Sequence, residues 1–151
     1  MWVELDAARA LARRLMNRHG LEEWEFGFDR ARRRLGACWP LKRKITLSRE
    51  FVLLNEQEQV EDIILHEIAH ALTPGAGHGA RFKAMARKLG CTASACVVPG
   101  SVTAPEAKVT LVCPHCEGVW RRYRRPAKKL VCVQCARKLG REVQPLSIRA
   151  R

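Results

Sequence analysis

Leu5, Ala8, Leu11, Ala12 and Leu15 recur at three- and four-residue intervals behind Asp6, and His19-Gly20 closes the run. This spacing predicts an opening amphipathic helix with Asp6 as its N-cap. Its arginines at 9, 13, 14 and 18 fall largely on the other face, towards water or an anion. The period then shortens to two: Trp24, Phe26 and Phe28 alternate with Glu25 and Gly27, as in a half-buried strand. Two shorter strands, around Leu35 to Trp39 and Lys44 to Leu47, flank the turn-forming Pro40, and the three together predict a small antiparallel sheet. Helical spacing returns at Val60, Ile64, Ile68 and Leu72, with Asn55 as N-cap, Glu58 as its capping-box partner and Pro74-Gly75 as the stop. A third helix runs from about Gly79 to Leu89, with Phe82, Met85, Ala86 and Leu89 on its apolar face and Gly90 behind it.

Residues 98–108 hold two prolines among small polar residues and read as a linker. The chain therefore divides into a domain over 1–97, the linker 98–108 and a module over 109–151. The expected fold is α+β: a helix, a short antiparallel sheet, a central helix and a following helix, with a small β module behind them. At 151 residues there is room for one ordinary domain plus a module, but not for two large domains.

Charge separates the two parts. Of a net +13, residues 1–102 carry +4 and residues 103–151 carry +9, so the excess is concentrated in the last third. Such a module suits a polyanion, of which nucleic acids are the commonest in cytoplasm; a solvated, solubilising surface is the bland alternative. The most apolar run, Val60 to Leu72, contains Glu61, Asp62, His66, Glu67 and His70 and cannot form a transmembrane helix. Charges at Asp6, Arg9, Arg13 and Arg14 also break up any signal-peptide core. The expected location is the cytoplasm, within reach of the nucleoid, for a monomer with no membrane contact.

Within the central helix stands His66-Glu67-Ile68-Ala69-His70. Residues four apart on a helix are rotated by about 400° and so point within about 40° of each other. His66 and His70 can therefore ligate one zinc ion, while Glu67 takes a proton from a water beside it, the machinery of peptide-bond hydrolysis. The alternative is a chance coincidence of two histidines and a glutamate. A catalytic zinc needs a third protein ligand. The only acidic residues after His70 are Glu106, Glu117 and Glu142, all in or beyond the linker; His19 ends the first helix, and His115 sits inside a cysteine motif. His78, between Gly77 and Gly79, is the candidate by elimination.

His66-Glu67-Ile68-Ala69-His70-Ala71, followed by Gly77-His78-Gly79-Ala80-Arg81-Phe82, resembles the active site of the SprT-like metallopeptidases, including the Spartan-type proteases. Arg33-Arg34-Leu35-Gly36-Ala37-Cys38 and Ile45-Thr46-Leu47-Ser48 resemble that family's strand segments, so the likeness spans roughly residues 5–90. The resemblance implies a zincin-like domain with zinc-dependent proteolysis, His66, His70 and His78 as ligands and Glu67 as the catalytic residue. It also suggests action on proteins bound or crosslinked to DNA, with DNA gating the activity. The metzincin pattern would put its third histidine at position 76, which is alanine, and where the SprT-like motif often continues with proline this chain has Ala80.

The seven cysteines favour metal binding or buried thiols over disulfides in a reducing compartment. Cys113-Pro-His-Cys116 and Cys132-Val-Gln-Cys135, 15 residues apart, predict a structural zinc ribbon with four cysteine ligands, with two disulfides or a redox dithiol as the alternatives. The expected cofactors are two Zn2+ ions, one catalytic and one structural. Between the knuckles lie Trp120, Arg121, Arg122, Tyr123, Arg124, Arg125, Lys128 and Lys129. Cations for phosphates and aromatics for bases suit single-stranded or distorted DNA, although Trp120 and Tyr123 can equally pack under the ribbon's hairpin. Cys38, Cys91 and Cys96 lack partners at ligand spacing and read as buried thiols. The leading expectation is a zinc metalloendopeptidase acting on DNA-associated proteins; the alternative is a nucleic-acid-binding ribbon protein with a degenerate metal site.

Overall fold

The structure is a computed structural model and describes residues 3–93 and 102–150. Two compact units, Met1–Pro105 and Glu106–Arg151, divide the chain. In the first, helix α1 (Leu5–Arg18) is followed by strands β1 (Glu25–Asp29) and β2 (Gly36–Trp39), a short 3-10 turn at Pro40–Lys42, and strand β3 (Lys44–Ser48). Helices α2 (Arg49–Leu54), α3 (Gln57–Leu72) and α4 (Ala80–Leu89) complete it.

Helix α1 buries Ala8, Leu11, Ala12, Leu15 and Met16, a stripe at intervals of one, three and four residues that faces the core. It begins behind Glu4, not Asp6, and Asp6 lies in the first turn, where its charge suits the helix dipole. Two of its arginines have structural partners. Arg13 donates to the carbonyls of Trp24 and Glu22, and Arg9 donates to that of Phe26 while lying 5.1 Å from the Phe28 ring. They tie α1 to β1.

The sheet has the order β1-β3-β2 and is mixed, which corrects the expected antiparallel pairing. The tight turn at Pro40–Lys42 makes β2 and β3 an antiparallel pair, with Cys38 opposite Ile45. The longer connection from β1 lets that strand reach the other edge of β3 in parallel, with Phe26 opposite Ile45. As the central strand, β3 buries Ile45, Thr46, Leu47 and Ser48, so it shows no alternation of apolar and polar positions.

Asn55 is not the N-cap of α3. Glu56 takes that place, its side chain accepting from the backbone of Gln59 and the Gln59 side chain accepting from the backbone of Glu56, a capping box one residue later than expected. Asn55 instead ends α2, a helix that the sequence pattern did not predict and that is capped by Ser48 accepting from the Phe51 amide. Its buried amide donates to the carbonyls of Phe51 and Thr103, and its oxygen accepts from the Thr103 amide at 2.6 Å. Of the stretch read as a linker, residues 98–101 lie outside the described residues; Val102 packs against the core and Thr103 is held by Asn55.

The core of this unit joins α1 to β3, α2 and α3 through Met16, Ile45, Leu47, Phe51, Val52, Val60, Ile64 and Ile68, all almost completely buried. The second unit is a three-stranded antiparallel sheet, order β5-β4-β6, made of β4 (Val109–Val112), β5 (Val119–Arg122) and β6 (Ser147–Ala150). Helix α5 (Val133–Leu139) and a 3-10 turn at Gly140–Glu142 lie between β5 and β6. Its buried cluster consists of cysteines 113, 132 and 135, with Trp120, Val143 and Leu146 against them. Among the described residues no helix is long and apolar enough to cross a membrane.

Candidate functional site

One face of α3 carries Val60, Ile64 and Ile68 into the core, while His66 and His70 emerge together one turn apart. The chain leaves the helix through Thr73, whose hydroxyl donates to the Ala69 carbonyl at 2.7 Å, and reverses at Gly75 and Gly77, both at positive φ. Gly77 at φ 53° is the residue that turns His78 back; Gly79 has an extended backbone and serves as the N-cap of α4. Ala80 occupies the first position of that helix, where proline would also fit, so its presence leaves the helix start intact.

His78 Nε2 consequently lies 3.2 Å from His66 Nε2 and 3.1 Å from His70 Nε2. Phe82, the first buried residue of α4, forms the floor beneath all three rings, with centroid separations of 4.3 to 4.8 Å. His66 Nδ1 lies 3.2 Å from the Thr92 carbonyl, and because a carbonyl only accepts, that ring carries its proton on Nδ1 and offers a lone pair at Nε2. Burial first, and then the other two rings, holds the His70 pKa down at about 4, which keeps it neutral and able to ligate.

The convergence of three nitrogens is a test of metal fit. A single proton can bridge only two of them, so without a cation lone pairs face one another. Two nitrogens bound to a tetrahedral zinc ion lie about 3.4 Å apart, close to the spacing seen here. The three histidines fit such an ion.

Glu67 follows His66 directly on α3 and is buried, unlike the half-buried histidines on either side of it in the motif. It lies against β2 at Gly36, where an added Cβ would sit 2.8 Å from its Oε1 and 2.9 Å from its Cγ. The strand thus touches the carboxylate with backbone, and no side chain fits between them. Burial lifts the Glu67 pKa to about 7, opposed by Arg34, whose guanidinium is itself paired with Asp29 at 2.6 Å. A bound cation would act in the same direction as Arg34.

The second cluster is built differently. Cys113 and Cys135 Sγ are 3.7 Å apart and Cys116 and Cys132 Sγ 3.8 Å, far beyond a disulfide bond and close to the roughly 3.8 Å separating two thiolates on a tetrahedral zinc. The four sulfurs lie within 4.8 Å of one another. Around them the first knuckle is tied by Cys113 N–H to the Gly118 carbonyl and Glu117 N–H to the Cys113 carbonyl, while the His115 amide points at Cys113 Sγ at 3.4 Å. The Cys132 pKa is lowered, chiefly by the backbone N–H of Cys135. His115 belongs to neither metal cluster; its Nε2 accepts from the Gln144 amide.

Two other thiols, Cys38 and Cys91, have the raised pKa of unreactive cysteines. Cys38 is half-buried, its pKa pushed up to about 12 by burial and the neighbouring Glu67, and Cys91 is buried with a pKa of about 11. Cys96 lies outside the described residues.

A family comparison agrees with the geometry: the SprT-like family model matches residues 6–106, two thirds of the chain. The chain belongs to the SprT-like family. No curated protein matches it. Among solved structures, it is similar to the crystal structure of the metallopeptidase zymogen of Methanocaldococcus jannaschii jannalysin. There the identity is 17% and the TM-score 0.48, covering 54% of this chain and 79% of that one. SprT-like membership together with the two metal-competent clusters supports a zinc metallopeptidase.

In this SprT-like chain β5 carries Trp120 and Arg121 on opposite faces of the ribbon sheet. Directly opposed residues in an antiparallel sheet share a face. Leu111 opposes Trp120 and Ile148, and Trp120 packs on the cysteine cluster, so much of that ring is used by the ribbon itself. Gly118 makes room for it, since a Cβ there would lie 2.9 Å from the tip of the indole. On the opposite face Thr110 opposes Arg121 in β5 and Arg149 in β6. Arg121, Arg124, Arg125, Lys128 and Lys129 are exposed, whereas Arg122 and Tyr123 are half-buried. Arg149 was not apparent as part of this group from sequence, because it is 28 residues from Arg121 and only the sheet register makes them neighbours across β4.

Proposed function

We propose that this chain is a zinc metalloendopeptidase with His66, His70 and His78 as ligands and Glu67 as general base. One zinc ion would be held there and a second, structural one by Cys113, Cys116, Cys132 and Cys135. The observation that carries the reading is the convergence of three Nε2 atoms within hydrogen-bonding distance, with a buried carboxylate on the next residue of the helix. When bound, zinc supplies Lewis acidity, polarising the scissile carbonyl and acidifying the attacking water. Glu67 accepts the proton released in the attack and returns it to the leaving amine, a transfer suited to a carboxylate poised near neutrality. Burial against β2 fixes its rotamer and limits access of bulk water to it.

The substrates we propose are DNA-associated or DNA-crosslinked proteins. The ribbon supports this with a net +9 over residues 103–151 and a sheet face carrying Arg121 and Arg149 on either side of Thr110. The test is cleavage of a DNA-bound protein, with and without single-stranded DNA, by wild type and Glu67→Gln. Cleavage by wild type alone, enhanced by DNA, is expected. No cleavage by wild type, with DNA still bound, would favour a nucleic-acid-binding protein whose histidine site is degenerate.

A further inference from the structure

His66 is oriented from outside its own helix. Its Nδ1 donates to the Thr92 carbonyl at 3.2 Å, and the amide of the same residue, Thr92, donates to Asp62 Oδ1 at 2.7 Å. Asp62 and His66 are four residues apart on α3 and so rise from one face. One backbone residue therefore bridges two side chains of a single helix. Thr92 reaches them because α4 ends at Gly90, in the left-handed region at φ 78°, and the Cys91 amide then bonds to the Ala86 carbonyl at 3.0 Å. Cys91 is buried with Ala69, Phe82 and Ala86, which anchors the segment just before Thr92. Asp62 caps no helix end, and aspartate is a weak residue for a helix interior; its bond to Thr92 is the interaction that employs it.

We infer that Asp62 is a positioning residue for the three-histidine centre: by holding the Thr92 amide it aims the Thr92 carbonyl at His66 and so fixes the ring orientation and tautomer that leave Nε2 free for metal. This rests on the metal-site reading proposed above. Outer partners of metal-binding histidines ordinarily act through a direct hydrogen bond. Here the direct acceptor is a main-chain carbonyl, which no substitution can remove, and control passes to the residue that holds its peptide. The Thr92 side chain takes no part in the bridge.

The experiment compares full-length wild type, Asp62→Ala, Asp62→Asn and Thr92→Ala. Ring 15N spectra of His66 are recorded as zinc is drawn from the histidine site by a chelator, and zinc affinity at that site is read from the same titration. Asp62→Ala is expected to lower affinity about 10-fold or more and to give His66 a mixture of tautomers. Asp62→Asn, which keeps an acceptor for the Thr92 amide, and Thr92→Ala, which keeps the main chain, should stay within about 2-fold of wild type. An Asp62→Ala protein that melts at lower temperature while its His66 tautomer and zinc affinity match wild type would show a merely structural role and overturn the inference. If wild type takes up no zinc at the histidines, the metalloendopeptidase reading fails, and the ring spectra of the metal-free protein still decide whether Asp62 sets the tautomer.

Discussion

The two metal-competent clusters solve opposite problems. The histidines sit on a finished scaffold: α3 is anchored by Val60, Ile64 and Ile68 in a core that reaches α1, β3 and α2, and the three rings rest on Phe82. In the second unit three of the four cysteines are themselves buried at its centre, and among the described residues the apolar support around them is small: Leu111 in β4, with Trp120, Val143 and Leu146 packed against the sulfurs. One set can lose its ion and keep its shape, whereas the other has little else to hold it. Ligand number follows the same division: three nitrogens leave a tetrahedral ion one open position, four thiolates leave none.

The sharpest way to break this contrast is to remove one ligand from each cluster. Cys132→Ser should abolish folding of the second unit while Met1–Pro105 keeps its dispersed amide NMR spectrum; His70→Ala should lose one zinc ion by native mass measurement and leave both units folded. Loss of structure in the first unit on His70→Ala would contradict the idea of a self-supporting scaffold. Next in size, Glu67→Gln should lower peptide cleavage by about 100-fold to 10,000-fold with zinc content unchanged, since it removes proton transfer without removing a ligand.

Gly36→Ala is expected to act on the same carboxylate from outside. Its new methyl would need to displace Glu67 or open the sheet, so turnover should fall about 100-fold while zinc affinity is retained, a displacement of about 1 Å being enough for such a loss. Parallel losses of zinc and activity would instead mean that β2 supports the whole site. The smallest effect belongs to the ribbon surface. Reversing Arg121 or Arg149 should weaken DNA binding several-fold and lower the slope of its salt dependence, whereas Trp120→Ala should chiefly destabilise the ribbon. Equal salt slopes for wild type and the arginine variants would remove that face from the interface.

What sequence conveyed depended on how local each interaction is. His66 and His70 were legible because helix geometry alone brings them together, and the ribbon cysteines because their two short spacings are set by tight turns. His78 followed from chemical need, with Gly77 supplying the reversal. The start of α3 was misplaced by one residue because Asn55 and Glu56 both precede a partner three positions on, and only long-range bonding to Thr103 shows which task Asn55 performs. The parallel pairing of β1 was hidden for a similar reason, since alternation reports which face of a strand is buried and not which neighbour it joins. Helix α2 is six residues long, too short for its buried Phe51 and Val52 to establish a period. Thr92 and Asp62 carry no motif at all; a carbonyl and an amide meet side chains 26 and 30 residues away.

Asn55 has a practical consequence for anyone shortening the protein. A version trimmed after Ala93 would look sensible, because α4 has ended and every proposed zinc-site residue of the first unit is present. It would nevertheless strip the Asn55 carboxamide of both partners on Thr103 and uncover the surface beneath Val102. The amide would keep only the Phe51 carbonyl, and losing the two bonds to Thr103 costs about 1 to 3 kcal/mol, a sizeable share of the stability of a unit this small. The durable cut lies beyond Pro105, well past the point where α4's capping glycine and Cys91 suggest that the work of the domain is done.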